Sequence, residues 1–260
     1  MVAMIHKTKG FVYHHVPKTG GTSIGNWVAN NIGNDVYWIG TRGVRTLTRD
    51  ATTEMFLGWN DEEDYYEWMD WWRKHGTGVN HFPPHIQVSR VKKLLRTNRR
   101  TKHLKTKHFA FLRNPWDWIT SLFWHRKNLR SPMDKIYAKH ILGQKNEATA
   151  FSNFIDCLSS ERVSKLGLPL TDPPQSFWIN QDVDFIGDFS KLEEDFTKIM
   201  SNFGIKVTDF PIKNTQPNNR IVYFWNDYSL VEKARLFLSK DIDLYEKTFN
   251  KEATYDRGNG

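Results

Sequence analysis

Apolar and polar positions along this chain fall into short blocks that read as separate elements. Residues 11–16, Phe-Val-Tyr-His-His-Val, are aromatic and β-branched and predict a short buried strand. Ile24, Trp27, Val28 and Ile32 then recur at helical spacing up to Gly33, which is placed to end that helix. The order repeats further on. Residues 108–112, His-Phe-Ala-Phe-Leu, predict a second buried strand, and Asn114, Pro115 and Asp117 follow as N-cap, first helical residue and capping-box acid. Toward the C-terminus, Ser190 with Glu193 and Ser229 with Glu232 match capping boxes that open two more amphipathic helices. Strand, turn and helix in alternation predict an α/β fold, a central and mainly parallel sheet flanked by helices. With no linker-like stretch between segments and no internal repeat, residues 1–260 read as a single domain.

The turns carry the chemistry. Between the first strand and its helix stand Pro17, Lys18, Thr19, Gly20, Gly21, Thr22 and Ser23. Two glycines let the backbone turn sharply, and the N–H groups opening the helix converge with Lys18 and three hydroxyls on one anionic group, a cradle for a nucleotide phosphate. The Walker A pattern fails, because its lysine follows the glycines whereas this one precedes them, and that disfavours a P-loop kinase. After the second strand, Arg113 offers a planar fork suited to phosphate, and Ser121 shares a helix face with residues 114 and 118.

The loop PKTGGTS, followed about ninety residues later by FLRNPWDWITSLF, resembles the two nucleotide-binding motifs of sulfotransferases that use 3′-phosphoadenosine 5′-phosphosulfate (PAPS). The closer likeness is to the type 2, or carbohydrate, sulfotransferases, whose first motif H-x-P-K-T-G-G-T-S is matched from His15. Residues 186–196, IGDFSKLEEDF, are similar to the family's stretch leading into a late helix, so the likeness spans most of the chain. The resemblance implies a P-loop-like fold and a sulfuryl transfer that needs no metal. It assigns Lys18 and the loop from Thr19 to Ser23 to the 5′-phosphosulfate, with Lys18 stabilising charge at the bridging oxygen, and Arg113 and Ser121 to the 3′-phosphate. The product would be adenosine 3′,5′-bisphosphate. Arg220 sits in a polar loop, 211–220, where relatives close over the nucleotide, and is a further candidate contact.

A base must take the acceptor's proton, and family analogy points to His81, with His85 in reserve. Glu54, Glu62 and Glu63 are alternatives, since some relatives use a glutamate. The one cysteine and the scattered histidines show no metal-ligand spacing.

Composition narrows the setting. The 260 residues are 39% hydrophobic and 14% aromatic, enough for a sizeable core, and no run approaches a membrane span or a secretory leader. A lone Cys157 excludes an intrachain disulfide and suits a reducing compartment, so a cytoplasmic enzyme of microbial or viral origin is expected. The net charge of +8 is uneven: residues 90–107 hold nine Lys or Arg and no acid, while 61–72 are acidic and aromatic. The basic run suits either a solvated helix or the attraction of an anionic acceptor or nucleotide. The acidic segment suits a helix packed on the core or an aromatic face for sugars. The expected activity is sulfuryl transfer to a hydroxyl, on a glycan or small molecule, against two rivals: a nucleotide-dependent kinase and a basic nucleic-acid-binding module.

Overall fold

The computed structural model describes residues 3–32, 35–39, 87–97, 101–128, 144, 146–159, 172–179, 183–211 and 222–255. Its contacts group into two units, Met1–Met69 with His81–Arg113 and Phe177–Thr215, and Asp70–Asn80 with Asn114–Ser176 and Gln216–Gly260.

The first unit is built on a five-stranded sheet of β1 (Ala3–His6), β2 (Phe11–His14), β3 (Val36–Ile39), β4 (Lys107–Leu112) and β5 (Phe185–Asp188), ordered β3-β1-β2-β4-β5. β2 pairs with β4, and β4 with β5, in parallel. β1 runs antiparallel to both β2 and β3, so four of the five strands point one way, as the α/β expectation required. Alternation along each strand sends side chains to opposite faces. Met4, Phe11, Tyr13, Phe109 and Phe111 form one face, covered by Ile24, Trp27 and Val28 of α1 (Gly21–Asn31). Phe196, Ile199 and Met200 of a later helix join the same core. Ala3, Ile5 and Val12 form the other face, covered by Val91 and Leu95 of α2 (Val88–Thr97). Both faces are apolar because both are buried, which is why β2 and β4 appear in the sequence as nearly continuous apolar runs.

The regular elements described in the second unit are all helices. It holds α3 (Pro115–Asn128), α4 (Glu147–Ser159) and the one-turn α5 (Gln175–Trp178), whose last residues fall in the first unit. A ring cluster fills it: Phe151 stacks on Phe224 at 4.4 Å, and Trp116 meets Trp225 edge-on at 5.0 Å. Arg126 grips Asp172 through both nitrogens of one fork, with both side chains largely buried. The first unit also contains α6 (Leu192–Ser201), entered through a 3₁₀ turn at Phe189–Lys191, and the second closes with α7 (Tyr228–Phe249).

Two helix starts differ from the capping boxes expected at Ser190 and Ser229. Asp188 caps the 3₁₀ turn by accepting from the Ser190 N–H at 2.9 Å, and α6 begins after Lys191 with no side-chain cap. Asp227 caps α7, accepting from the N–H groups of Ser229 and Leu230. In each case an aspartate two residues upstream supplies the acceptor, and a carboxylate is the stronger partner for the helix N-terminus. α1 stops with Ile32 at its C-cap, and Gly33, expected to end it, lies outside the described residues. The acidic segment 61–72 and Glu54 also lie outside them.

Candidate functional site

Three strand ends share one edge of the sheet. Parallel pairing sets His14 of β2 beside Ala110 of β4, and Leu112 of β4 beside Asp188 of β5, so the chain leaves all three strands at their common carboxyl edge. After β2 it turns toward β3, and after β3 it returns past β1 and β2 to β4. The edge between β2 and β4 is therefore the switch point at which open α/β sheets bind ligands.

The turn after β2 is the loop singled out in the sequence. Lys18 has φ 63° and Gly20 φ 85°, both left-handed. A lysine held there carries a backbone strain of about 1–3 kcal/mol. Gly20 is the N-cap of α1, which has no side-chain cap bond and no acid in its first turn. The helix thus opens with backbone N–H groups that no side chain of its own first turn caps, at its positive end. Space is also tight at both glycines. A Cβ on Gly20 would lie 2.6 Å from Leu192 Cδ2, and one on Gly21 would lie 2.0 Å from His15 Nε2. The His15 ring fills the hollow over Gly21 and faces the Tyr13 ring at 6.2 Å.

The hydroxyls divide their work. Thr19 is fully buried, and its Oγ1 donates to the Val16 carbonyl at 2.9 Å, closing the turn from inside. That proton is committed to the turn itself, whereas the loop was expected to offer three hydroxyls. Ser23 is buried in the first turn of α1, and Thr22 is exposed. Beneath them the Tyr13 hydroxyl is enclosed, with the Thr19 side chain beside it but no hydrogen bond of good geometry, and burial pushes its ionisation far above the usual tyrosine range.

Arg113 follows β4 directly, at the strand end next to this loop, and its guanidinium lies 4.7 Å above the Phe189 ring from the turn after β5. The structure therefore brings Lys18, Gly20, Gly21 and Arg113 to one sheet edge within the first unit. Ser121 sits half-buried on α3 of the second unit. His81, His85, Arg220, Glu62 and Glu63 lie outside the described residues.

Sequence reasoning gave no site role to three neighbours: His15, whose ring packs on Gly21; Leu192, which closes over Gly20; and Phe189, which backs Arg113. A signal for the last two existed, since IGDFSKL, like the other two motifs, begins as a strand and ends as a helix.

A buried histidine pair was also missed. His14 Nε2 and His108 Nδ1 are 2.8 Å apart across β2 and β4, and His108 Nε2 is 3.1 Å from Thr106 Oγ1. His14 Nδ1 is buried with no hydrogen-bond partner among the described residues, so the proton on His14 is assigned to Nε2, because the opposite tautomer would bury an unbonded N–H. Burial holds His14 far below the usual imidazole range, and burial reinforced by Lys92 and Arg96 lowers His108 to about 4. The pair is neutral at pH 7.

Residues 2–247 match the family model described as Sulfotransferase family. Neither a curated protein nor a solved structure matches the chain.

Proposed function

The chain belongs to the sulfotransferase family, an enzyme family of sulfuryl transfer, and we propose that its donor is PAPS and its acceptor a carbohydrate hydroxyl. One observation carries the reading: an uncapped helix N-terminus, opened by a strained lysine, a left-handed glycine and a second glycine under the His15 ring, stands at the strand end beside Arg113. Those donors suit a ligand with two anionic groups. The α1 N–H groups and Lys18 would hold the 5′-phosphosulfate, and the Arg113 fork the 3′-phosphate.

In the reaction the acceptor oxygen attacks sulfur in line as the bond from sulfur to the bridging oxygen breaks. The electron pair leaves with that oxygen, as adenosine 3′,5′-bisphosphate, and Lys18 stabilises the charge growing there. The acceptor's proton passes to a base, for which His81 is the first candidate and His85 the second. A single family match that runs across both structural units supports reading them as one catalytic domain. The single, buried Cys157 fits a reducing, cytoplasmic setting, and among the described residues no helix is long and apolar enough to cross a membrane.

Calorimetry with adenosine 3′,5′-bisphosphate, Mg-ATP and an oligonucleotide, on the native chain and on His81→Ala, tests the proposal. Tight, magnesium-independent binding of the bisphosphate by both proteins, with turnover of labelled PAPS lost only in the variant, is the expected result. Preference for Mg-ATP or the oligonucleotide would overturn the donor assignment, and full turnover by His81→Ala would move the base to His85 or a glutamate.

A further inference from the structure

At the opposite edge of the sheet, where β4 begins, α2 and the turn at residues 101–104 line a half-open pocket of about 230 Å³. Its charged and imidazole lining comes from Lys92, Arg96, Lys102, His108 and Asp184, with the hydroxyls of Thr106 and of Thr101, the latter committed to the Leu95 carbonyl. His108 and Arg113 are five residues apart on an extended strand, roughly 16 Å, so this cavity is separate from the nucleotide edge. Its volume falls below the range of about 300–1,000 Å³ usual for drug-sized ligands and suits a small group.

The lining is built for negative charge. Three cations face one carboxylate, and that carboxylate is already engaged: Asp184 takes Lys107 Nζ at 2.9 Å and the His108 N–H at 2.7 Å. Among the described residues no carboxylate pairs with Arg96 or Lys102, although both are exposed and reach the same hollow. The histidine pair adds a directed donor. With His14 Nε2–H donating to His108 Nδ1, His108 Nε2–H donates to Thr106 Oγ1, which leaves the Thr106 hydroxyl hydrogen to be given to another acceptor. Cations from two separate segments and an oriented hydroxyl around one small cavity go beyond what a solvated basic helix requires.

We propose that this cavity is a second anion site, which holds a sulfate or phosphate monoester group of a ligand other than the donor nucleotide. The proposal does not depend on the donor or acceptor assigned above. Free sulfate, free phosphate and the corresponding sugar esters share the chemistry that would be recognised.

The test is an NMR titration of the His108 imidazole nitrogens in the full chain with sodium sulfate, sodium phosphate, glucose 6-sulfate and glucose 6-phosphate at constant ionic strength. Each titration is repeated with adenosine 3′,5′-bisphosphate at saturation and in Arg96→Glu/Lys102→Glu, whose two sites are exposed and whose folding is checked by circular dichroism. Saturable one-site shifts that survive the bisphosphate, and that weaken at least about tenfold in the double variant, are expected. The tightest-binding of the four ligands identifies the source of the anion, a free ion or a sugar ester. Shifts that do not saturate, that the bisphosphate displaces, or that persist unchanged in the variant would overturn the site. Should the variant fail to fold, competition by the bisphosphate in the native chain decides alone.

Discussion

Lys18 joins two opposed demands in one residue. Its left-handed backbone favours glycine, yet the ammonium is the only side-chain charge in the turn between β2 and α1. Substitution can separate the two. Lys18→Ala and Lys18→Gly both remove the charge, and both should weaken binding of adenosine 3′,5′-bisphosphate by at least about tenfold, measured calorimetrically. They should part in stability, because glycine accepts φ 63° without penalty and alanine does not. Urea unfolding should find Lys18→Gly more stable than Lys18→Ala by about 1 kcal/mol. Equal stabilities would mean that the loop relaxes once the lysine is gone, and undiminished binding would remove Lys18 from the phosphate site.

Among the elements, helix starts decide how the motifs are presented. Asn114 accepts from the Trp116 N–H at 3.0 Å, as an N-cap does, and its Nδ2 donates to the Thr254 carbonyl at 2.8 Å, tying α3 to the residues after α7. Asn114→Ala should cost about 1 kcal/mol or somewhat more, as loss of a cap plus a hydrogen bond, whereas Asn114→Asp keeps the cap and loses only the tie. Thermal unfolding that ranks Asp with Ala would show that the tie, not the cap, matters. This cap was legible in the sequence because it is local: Asn114, Pro115 and Asp117 occupy the N-cap, first and third helical positions with no competitor. At α6 and α7 two candidates stood two residues apart, Asp188 and Ser190, Asp227 and Ser229, and pattern alone cannot rank a carboxylate against a hydroxyl that also starts a capping box. The turn between β2 and α1 was legible for the same local reason. Leu192 over Gly20 and Phe189 under Arg113 were not, since those contacts depend on β5 pairing with β4 across more than seventy residues of chain.

For the whole molecule the histidine pair sets a pH limit. His14 and His108 lie between two central strands, and both must remain neutral to stay there, while in the unfolded chain each titrates near the ordinary imidazole value. Above pH 6.5 both states are neutral and the pair carries no penalty. As pH falls from 6.5 toward 4, the unfolded chain takes up protons that the folded chain refuses, so stability declines across that window. His108 alone accounts for up to about 3 kcal/mol of this loss. Asp184 adds its own acid sensitivity: burial works against its ionised form, but the His108 N–H and Lys107 outweigh it and hold its carboxyl below the usual aspartate range. That loss falls at lower pH, so measurements at pH 7 and 4.5 report mainly on the histidines. Urea midpoints should therefore drop steeply between these two pH values in the native chain and much less in His14→Val/His108→Val, whatever the absolute stability of the variant. Parallel slopes in the two proteins would mean that the pair accepts a proton within the fold, and the neutral tautomer assigned to it, along with the donor it directs through Thr106, would have to be abandoned.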